Sequence, residues 1–354
     1  MLIKELLHKN LIGKEVPPFI KDNTHYLALM GSVAYGCSTD YSDMDVYGWC
    51  IPPKEYIFPH LAGHVRGFGM EPQSFETWQK HHILDDQKKR SYDISMYGIV
   101  RYFQLITENN PNMIDSLFVS PNCVLHCSEA ANMLREKRHL FLHKGCWHKF
   151  KGYSFSQLNK CKTRDTEPVL TEILAFEKRH NLNHGDVFMK SMGDFIAKGA
   201  TAHETCVYQR LYDEVETKKK RALNTKLFDF DVKFAYHVVR LLGECEEILT
   251  DHTLTLDRYD RREMLKDIRA GNWTLQQIRD YFVNKEKELD KLYQSSTLRH
   301  SPDEAAIKQL LLNILESHYG NLEKAVVMSD NATLNNALKD ISATVAKYQN
   351  LIDK

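Results

Sequence analysis

The stretch that decides the fold runs from residue 31 to residue 48 and reads GSVAYGCSTDYSDMDVYG. A short apolar run at residues 26–30 precedes it and ends at Gly31-Ser32, as a buried strand does where the chain enters a tight turn. Residues 44–49 predict a second strand. The sequence therefore predicts a strand, a glycine-containing turn and another strand within 25 residues of chain.

Two acidic residues lie at the start of that second strand. Strand side chains alternate between faces, so Asp43 and Asp45 are expected on the same face. Two close carboxylates repel each other and raise each other's pKa unless a cation lies between them, and oxygen ligands suit Mg²⁺. The Gly31-Ser32 turn can lead into a helix whose N–H groups, with the Ser32 hydroxyl, hold phosphate oxygens. An Asp-x-Asp pair or a Gly-Ser turn alone is common and has no specific meaning, but the two together favour a site for a metal-bound triphosphate.

Composition restricts the class of protein. The chain has 354 residues, enough for two domains, and 47 basic residues balance 47 acidic ones. This neutrality excludes a uniformly basic nucleic-acid coat but permits a local basic groove. No apolar run approaches the roughly 20 residues that span a bilayer, and the start has no cleavable-leader pattern. The eight cysteines include no CxxC pair, so we expect reduced thiols in a soluble, cytoplasmic protein without a membrane partner.

Strand patterns are confined to the first third of the chain. Residues 91–95 predict a further strand and residues 96–107 a helix, while the polar stretch 62–90 is expected to be a long loop or an insertion with short elements. Helical patterns follow at 169–180, 186–220, 231–249, 258–269, 274–293 and 302–319. We therefore expect an α+β protein with a small mixed-sheet domain at 1–128, a linker at 129–149 and an all-helical domain at 150–354.

The segment 31–48 resembles the signature of the DNA polymerase β-like nucleotidyltransferase superfamily, which is Gly-Ser followed by Asp-x-Asp. More closely, the chain is similar to the nucleotidyltransferases associated with bacterial RNA-repair operons, the RlaP type, over about residues 25–275. The later segments that carry this resemblance are Asn110-Pro111-Asn112, Leu117-Phe118, Gly152-Tyr153-Ser154, Gln157-Leu158, Lys233-Phe234, His237, Arg240-Leu241 and Ile268-Arg269-Ala270-Gly271.

The resemblance implies a role for individual positions. Gly31 and Ser32 would bind the β- and γ-phosphates of an NTP, while Asp43 and Asp45 would ligate two Mg²⁺ or Mn²⁺ ions. Asp93 would be the third carboxylate, which binds the metal beside the nucleophile and helps to deprotonate the attacking hydroxyl. A helix-capping role is the alternative for Asp93, and the other candidates for the third acid are Glu76, Asp85 and Asp86.

The helical half is expected to supply cations. On the predicted helix 231–249, Lys233, His237 and Arg240 share a narrow stripe with Glu244, beside the apolar face. This stripe suits phosphate neutralisation, but a solvated surface with an internal Arg240–Glu244 pair explains it equally well. The pattern Ser154-Phe155-Ser156-Gln157 predicts the start of an earlier helix, on which Lys160 lies in a similar arrangement with Gln157 and Arg164.

The function implied by the resemblance is a two-metal nucleotidyltransferase, which moves an NMP from an NTP to a hydroxyl acceptor and releases pyrophosphate. The acceptor can be an RNA end, a protein hydroxyl or a small molecule, and the resemblance favours RNA. A catalytically silent nucleotide-binding sensor on the same fold is the alternative, and a metal-dependent hydrolase is a third possibility. The sequence selects neither the NTP nor the oligomeric state.

Overall fold

The computed structural model describes residues 16–39, 42–57, 74–84, 91–161, 167–182, 192–211, 228, 230–320, 338–339 and 341–342. Asp85, Asp86 and Arg164 lie outside these residues, as do most of the polar stretch 62–90 and much of the predicted helix 186–220.

A five-stranded mixed sheet occupies the first third of the chain, with the order β3-β4-β2-β1-β5. Its central strand β2 is antiparallel to β1 and parallel to β4, and the outer pairs β1–β5 and β3–β4 are antiparallel. The strands are β1 (Thr24–Leu29), β2 (Met44–Cys50), β3 (Thr77–Leu84), β4 (Ser91–Gly98) and β5 (Val124–Cys127).

The strand β3 lies inside the stretch that the sequence predicted as a loop or insertion. It forms one edge of the sheet, and Ile83 is its buried residue, so it lacks the apolar pattern of an inner strand. Its pairing with β4 is interrupted between Lys80 and Ile83, where His82 has a φ of 56°. This irregularity is a bulge, which bends the edge strand locally.

Most described helices follow the predicted pattern with shifted ends, but the pattern at 186–220 is divided, within the described residues, into Met192–Ala197 and a helical run at 202–211. The helix predicted from residue 96 begins at Ile99, because β4 continues to Gly98 and that glycine is the N-cap. The described helices are Ile20–Asn23, Gly31–Ala34, Lys54–Ile57, Ile99–Thr107, Pro111–Phe118, Glu129–Glu136, Cys146–Lys160, Glu167–Arg179, Met192–Ala197, Val232–Asp251, Tyr259–Arg269, Leu275–Ser295 and Glu304–Tyr319, with a helical run at 202–211 and 3₁₀ turns at Pro121–Cys123 and Arg138–Phe141.

The helix Val232–Asp251, called here the central helix, organises the helical part. The Asp231 side chain caps its start by accepting a hydrogen bond of 2.9 Å from the Lys233 backbone N–H. The helix packs against Cys146–Lys160, Tyr259–Arg269 and Leu275–Ser295.

One hydrophobic core joins the sheet to the helices. It includes Trp49 of β2, Phe150 and, from the central helix, Leu241. The predicted α+β class, a mixed sheet followed by a helical region, is confirmed, while the boundaries at 128 and 150 remain a prediction. Among the described helices, none combines the length and the apolar character that crossing a bilayer requires.

Candidate functional site

The turn after β1 brings Gly31 against the carboxylate of Asp45. Residues Gly31–Ala34 form one helical turn, and Gly31 has a φ of +61°, a conformation that favours glycine. A Cβ atom at this position would lie 2.0 Å from Oδ2 of Asp45, so the carboxylate occupies the space that a side chain would need. The Met30 N–H also donates to the Asp45 carbonyl at 2.7 Å. The glycine–serine turn and the second acid therefore face each other.

The neighbouring strand places Asp93 beside Asp45. The parallel strands β2 and β4 pair in register, with Asp45 opposite Asp93, and adjacent strands lie about 4.8 Å apart. Burial raises the pKa of the half-buried Asp45, and the negative charges of Asp93 and Asp43 raise it further, while Lys233 opposes them. The structure thus places the three acidic residues that the sequence singled out near one another at the start of β2 and β4.

Asp93 is turned toward the bulge in β3. Its Oδ1 accepts a hydrogen bond of 2.7 Å from the His82 N–H, and its Oδ2 lies 3.5 Å from Nδ1 of His81. Asp45 is directed at Gly31, and within the described ranges no three His, Cys, Asp or Glu side chains already form a ligand cluster. Asp43 is exposed, just before β2 begins. The acids are neighbours whose carboxylates point to different partners.

The strand register excludes two alternatives from the sequence analysis: a helix-capping role for Asp93, and Glu76 as the third acid. Asp93 is the third residue of β4, well before the helix whose N-cap is Gly98, so it is not a helix cap. The Glu76 carbonyl accepts from the Gly98 N–H at 2.8 Å, which places Glu76 at the opposite end of β4. Four strand residues lie between Asp93 and Gly98, so the two positions are about 16 Å apart. Glu76 as the third acid is therefore wrong.

The start of the central helix presents cations to this site. Lys233 is exposed, and its charge lowers the pKa of Asp45, so it lies within electrostatic reach of that carboxylate. The Lys160 ammonium is also exposed. It lies 5.9 Å from the centre of the ring of Phe234, the residue that follows Lys233 in the chain. His237 lies one turn further along, half-buried against the Tyr236 ring. Lys233 is thus the basic residue near the acids, and Lys160 and His237 lie on the same part of the helical region.

Arg240 corrects the prediction of a cationic stripe. Its side chain is 1% exposed, and its Nη1 donates to Glu244 at 3.0 Å, to the Tyr35 hydroxyl at 2.9 Å and to the Asp115 carboxylate. The expected Arg240–Glu244 pair exists, but it is buried instead of solvated. Because these bonds use the guanidinium inside the protein, the prediction that Arg240 binds nucleotide phosphates is wrong.

Sequence reasoning missed the partners in this interior network. Asp115 lies in the short helix Pro111–Phe118, which is almost entirely buried, and the Tyr35 hydroxyl donates to it at 2.6 Å. A single acid inside the apolar run Met113–Phe118 was the available signal, because a buried carboxylate needs a cation or hydrogen-bond donors. His81 was missed as well, and its polar edge strand gives no comparable signal.

A mixed sheet that holds a Gly-Ser turn against an Asp-x-Asp pair defines a nucleotidyltransferase-like protein of the DNA polymerase β type. Residues 10–313 match the family described as the RNA repair pathway DNA polymerase beta family, RlaP. The chain belongs to this family, which confirms the resemblance drawn from residues 31–48.

A solved structure, the nucleotidyltransferase-like protein from Exiguobacterium sibiricum 255-15, is similar over 85% of this chain and 76% of its own, with 11% identity and a TM-score of 0.23. No curated protein sequence matches the chain.

Proposed function

We propose that the protein is a Mg²⁺- or Mn²⁺-dependent nucleotidyltransferase, which transfers an NMP from an NTP to a hydroxyl of an RNA end and releases pyrophosphate. The observation that carries this proposal is the position of Asp45, which lies opposite Asp93 in the sheet and against the backbone of Gly31. Membership of a family described by RNA repair supports RNA as the acceptor.

The donor set fits hard divalent cations. Carboxylate oxygens are the ligands that Mg²⁺ and Mn²⁺ prefer, and Asp43, Asp45 and Asp93 supply them. Burial raises the pKa of Asp45, the charges of Asp93 and Asp43 raise it further, and a bound cation would favour the ionised carboxylate. When bound, such ions lower the pKa of an acceptor hydroxyl and offset charge on the leaving pyrophosphate.

The residues around the acids have separate roles in this proposal. The Gly31 backbone, against which the Asp45 carboxylate lies, and the Ser32 hydroxyl receive the β- and γ-phosphates. Lys233, with Lys160 and His237 nearby, offsets the charge of the triphosphate. Asp93 accepts the proton of the attacking hydroxyl. Together these groups align an NTP for in-line attack.

RNA binding must come from local basic patches, because the whole chain has no net charge. The affinity for RNA should therefore fall steeply as salt increases. All eight cysteines are free thiols, which fits a reducing compartment, and we propose the cytoplasm as the location.

The test is incubation with each labelled NTP in turn, Mg²⁺ or Mn²⁺, and total RNA, comparing the wild type with Asp43→Ala/Asp45→Ala. The control is Asp290→Ala, which removes an exposed acid from the helix Leu275–Ser295. We expect label on RNA with the wild type and the control, and none with the double variant.

Other outcomes separate the competing functions. Equal label with the double variant contradicts this use of the acids. Consumption of NTP without a labelled acceptor indicates a hydrolase. Binding of NTP without any turnover by the wild type indicates the silent sensor.

A further inference from the structure

We propose that Arg240 and Arg269, called here the arginine clamp, are positioning residues that hold the Gly31–Ala34 turn in place for the NTP. Both belong to the helical region, and neither was expected to act on the turn. The expected effect of these arginines on nucleotide transfer rests on the proposed function. Their effect on the conformation of the turn does not depend on it.

Arg240 holds the end of the turn through Tyr35. Tyr35 follows the turn directly, and its N–H donates to the Gly31 carbonyl at 3.3 Å. The Arg240 guanidinium lies 4.5 Å from the centre of the Tyr35 ring, and its Nη1 donates to the hydroxyl at 2.9 Å. Asp115 accepts from both side chains, so the ring of Tyr35 is fixed at its face and at its tip.

Arg269 holds the chain two residues further on. Its Nη1 donates to the Cys37 carbonyl at 2.5 Å, and the Cys37 N–H in turn donates to the Ser32 carbonyl at 2.8 Å. A hydrogen-bonded path therefore runs from Arg269 through Cys37 to Ser32, the residue proposed to receive phosphate.

The intervening Gly36 explains how the helix Tyr259–Arg269 comes so close to this backbone. Gly36 has a φ of +65°, and a Cβ atom there would lie 2.6 Å from Cδ of Arg262. A larger residue would be strained at this φ and would displace the Arg262 side chain, which belongs to the same helix as Arg269.

A turn of four residues cannot hold this geometry by itself. Its hydrogen bonds are too few to offset the entropy of fixing the backbone, and Gly31 is the residue type that loses most freedom on ordering. Contacts from outside the turn must supply the difference. Since a misplacement of 1 Å can cost about 100-fold in rate, contacts that fix Ser32 and Gly31 affect the site without touching the NTP.

The central test uses Arg269→Ala, because this half-buried side chain can be removed without opening the core. The matched control is Arg258→Ala, whose exposed guanidinium pairs with Asp251 and Asp260 beside the start of the same helix. Hydrogen exchange is measured on peptides covering 31–39 and on peptides from β1 and β2, without nucleotide. We expect exchange at 31–39 to be about 10-fold faster in Arg269→Ala, and unchanged in Arg258→Ala and in the strand peptides.

Kinetics then separate positioning from a loss of folded protein. A smaller folded fraction lowers the apparent kcat and leaves the KM for NTP unchanged, whereas a displaced turn raises that KM, by about 10-fold in our expectation. Arg240→Lys keeps the charge but loses the fork of donors and the stacking on Tyr35, so it should show the same KM change.

Two results would overturn the clamp: unchanged exchange at 31–39 in Arg269→Ala, or exchange that rises equally in every peptide. If the wild type transfers no nucleotide, the proposed function fails, but the exchange comparison still decides whether Arg269 holds the turn.

Discussion

Asp45 of β2 lies directly opposite Asp93 of β4, in a parallel pair whose register continues from Met44 to Cys50. Like charges on adjacent strands oppose folding, and burial of Asp45 adds to the cost, as its raised pKa shows. Such an arrangement is typical of a site that binds a cation, because stability alone would favour another residue at one of the two positions.

We expect Gly31→Ala to lower nucleotide transfer by about 100-fold or more. The new methyl group would meet Oδ2 of Asp45 at 2.0 Å, and alanine is strained at a φ of +61°. Both effects displace Asp45 from the turn. Initial rates of label transfer measure the change.

A matched glycine substitution controls for this effect. Gly152 lies inside the helix Cys146–Lys160, and a Cβ atom there would contact nothing within 4 Å. Gly152→Ala should keep its activity and gain about 0.5–1 kcal/mol in stability from helix propensity. Wild-type transfer by Gly31→Ala would contradict the role assigned to the turn.

Asp93→Asn should reduce transfer by about 100-fold and weaken the binding of Mn²⁺, because it removes one charged ligand from the acidic group. Glu76→Gln is the control, since this exposed acid lies near the other end of β4 and should leave both properties unchanged. Calorimetric titration with Mn²⁺ and transfer rates give the two readouts. Equal metal affinity in Asp93→Asn and the wild type would exclude Asp93 as a ligand.

The proximity of Gly31 and Asp45 was predictable because the two residues are close in the sequence. Both residues lie in one strand–turn–strand segment, where alternation and a glycine turn restrict the geometry. Asp93 was selected because the family resemblance implies a third carboxylate on a neighbouring strand, and residues 91–95 predict such a strand. Its register against Asp45 was not in the sequence, since parallel pairing depends on which distant strands become neighbours.

The environment of Arg240, in contrast, could not be predicted from the sequence. Helical periodicity correctly placed it one turn from Glu244, but periodicity does not say what packs against a helix face. Asp115 and Tyr35 cover that face and turn an apparent surface stripe into a buried network. The strand β3 was missed for a related reason: as an edge strand with polar residues, it lacks the pattern that marks inner strands.

Protonation of Glu244 should make folding stability depend on pH. Burial raises the pKa of this carboxyl from 4.5 to about 8, with Asp115 adding to the effect and Arg240 opposing it. Between these values the folded protein keeps a proton that the unfolded chain has lost. Stability should therefore fall as the pH rises from about 5 through 8, with a slope of at most about 1.4 kcal/mol per pH unit.

Replacement of Glu244 tests this assignment. Glu244→Gln removes the titrating group and should flatten the pH dependence, whereas Glu136→Gln, which changes an exposed acid, should retain it. Urea unfolding at intervals between pH 5 and pH 8.5 measures the slope. If Glu244→Gln and the wild type show the same slope, Glu244 does not hold the proton.

At about pH 9, above the raised pKa of Glu244, Arg240→Leu should destabilise the protein by about 3–5 kcal/mol, because it leaves the ionised Asp115 and Glu244 buried without their cation. One guanidinium faces two carboxylates here, so removal of one carboxylate should recover part of the loss. We expect Glu244→Gln to cost less in the Arg240→Leu background than in the wild type, with a coupling energy of about 1–3 kcal/mol from urea unfolding of the four proteins. Additive effects would show that Arg240 and Glu244 do not stabilise each other.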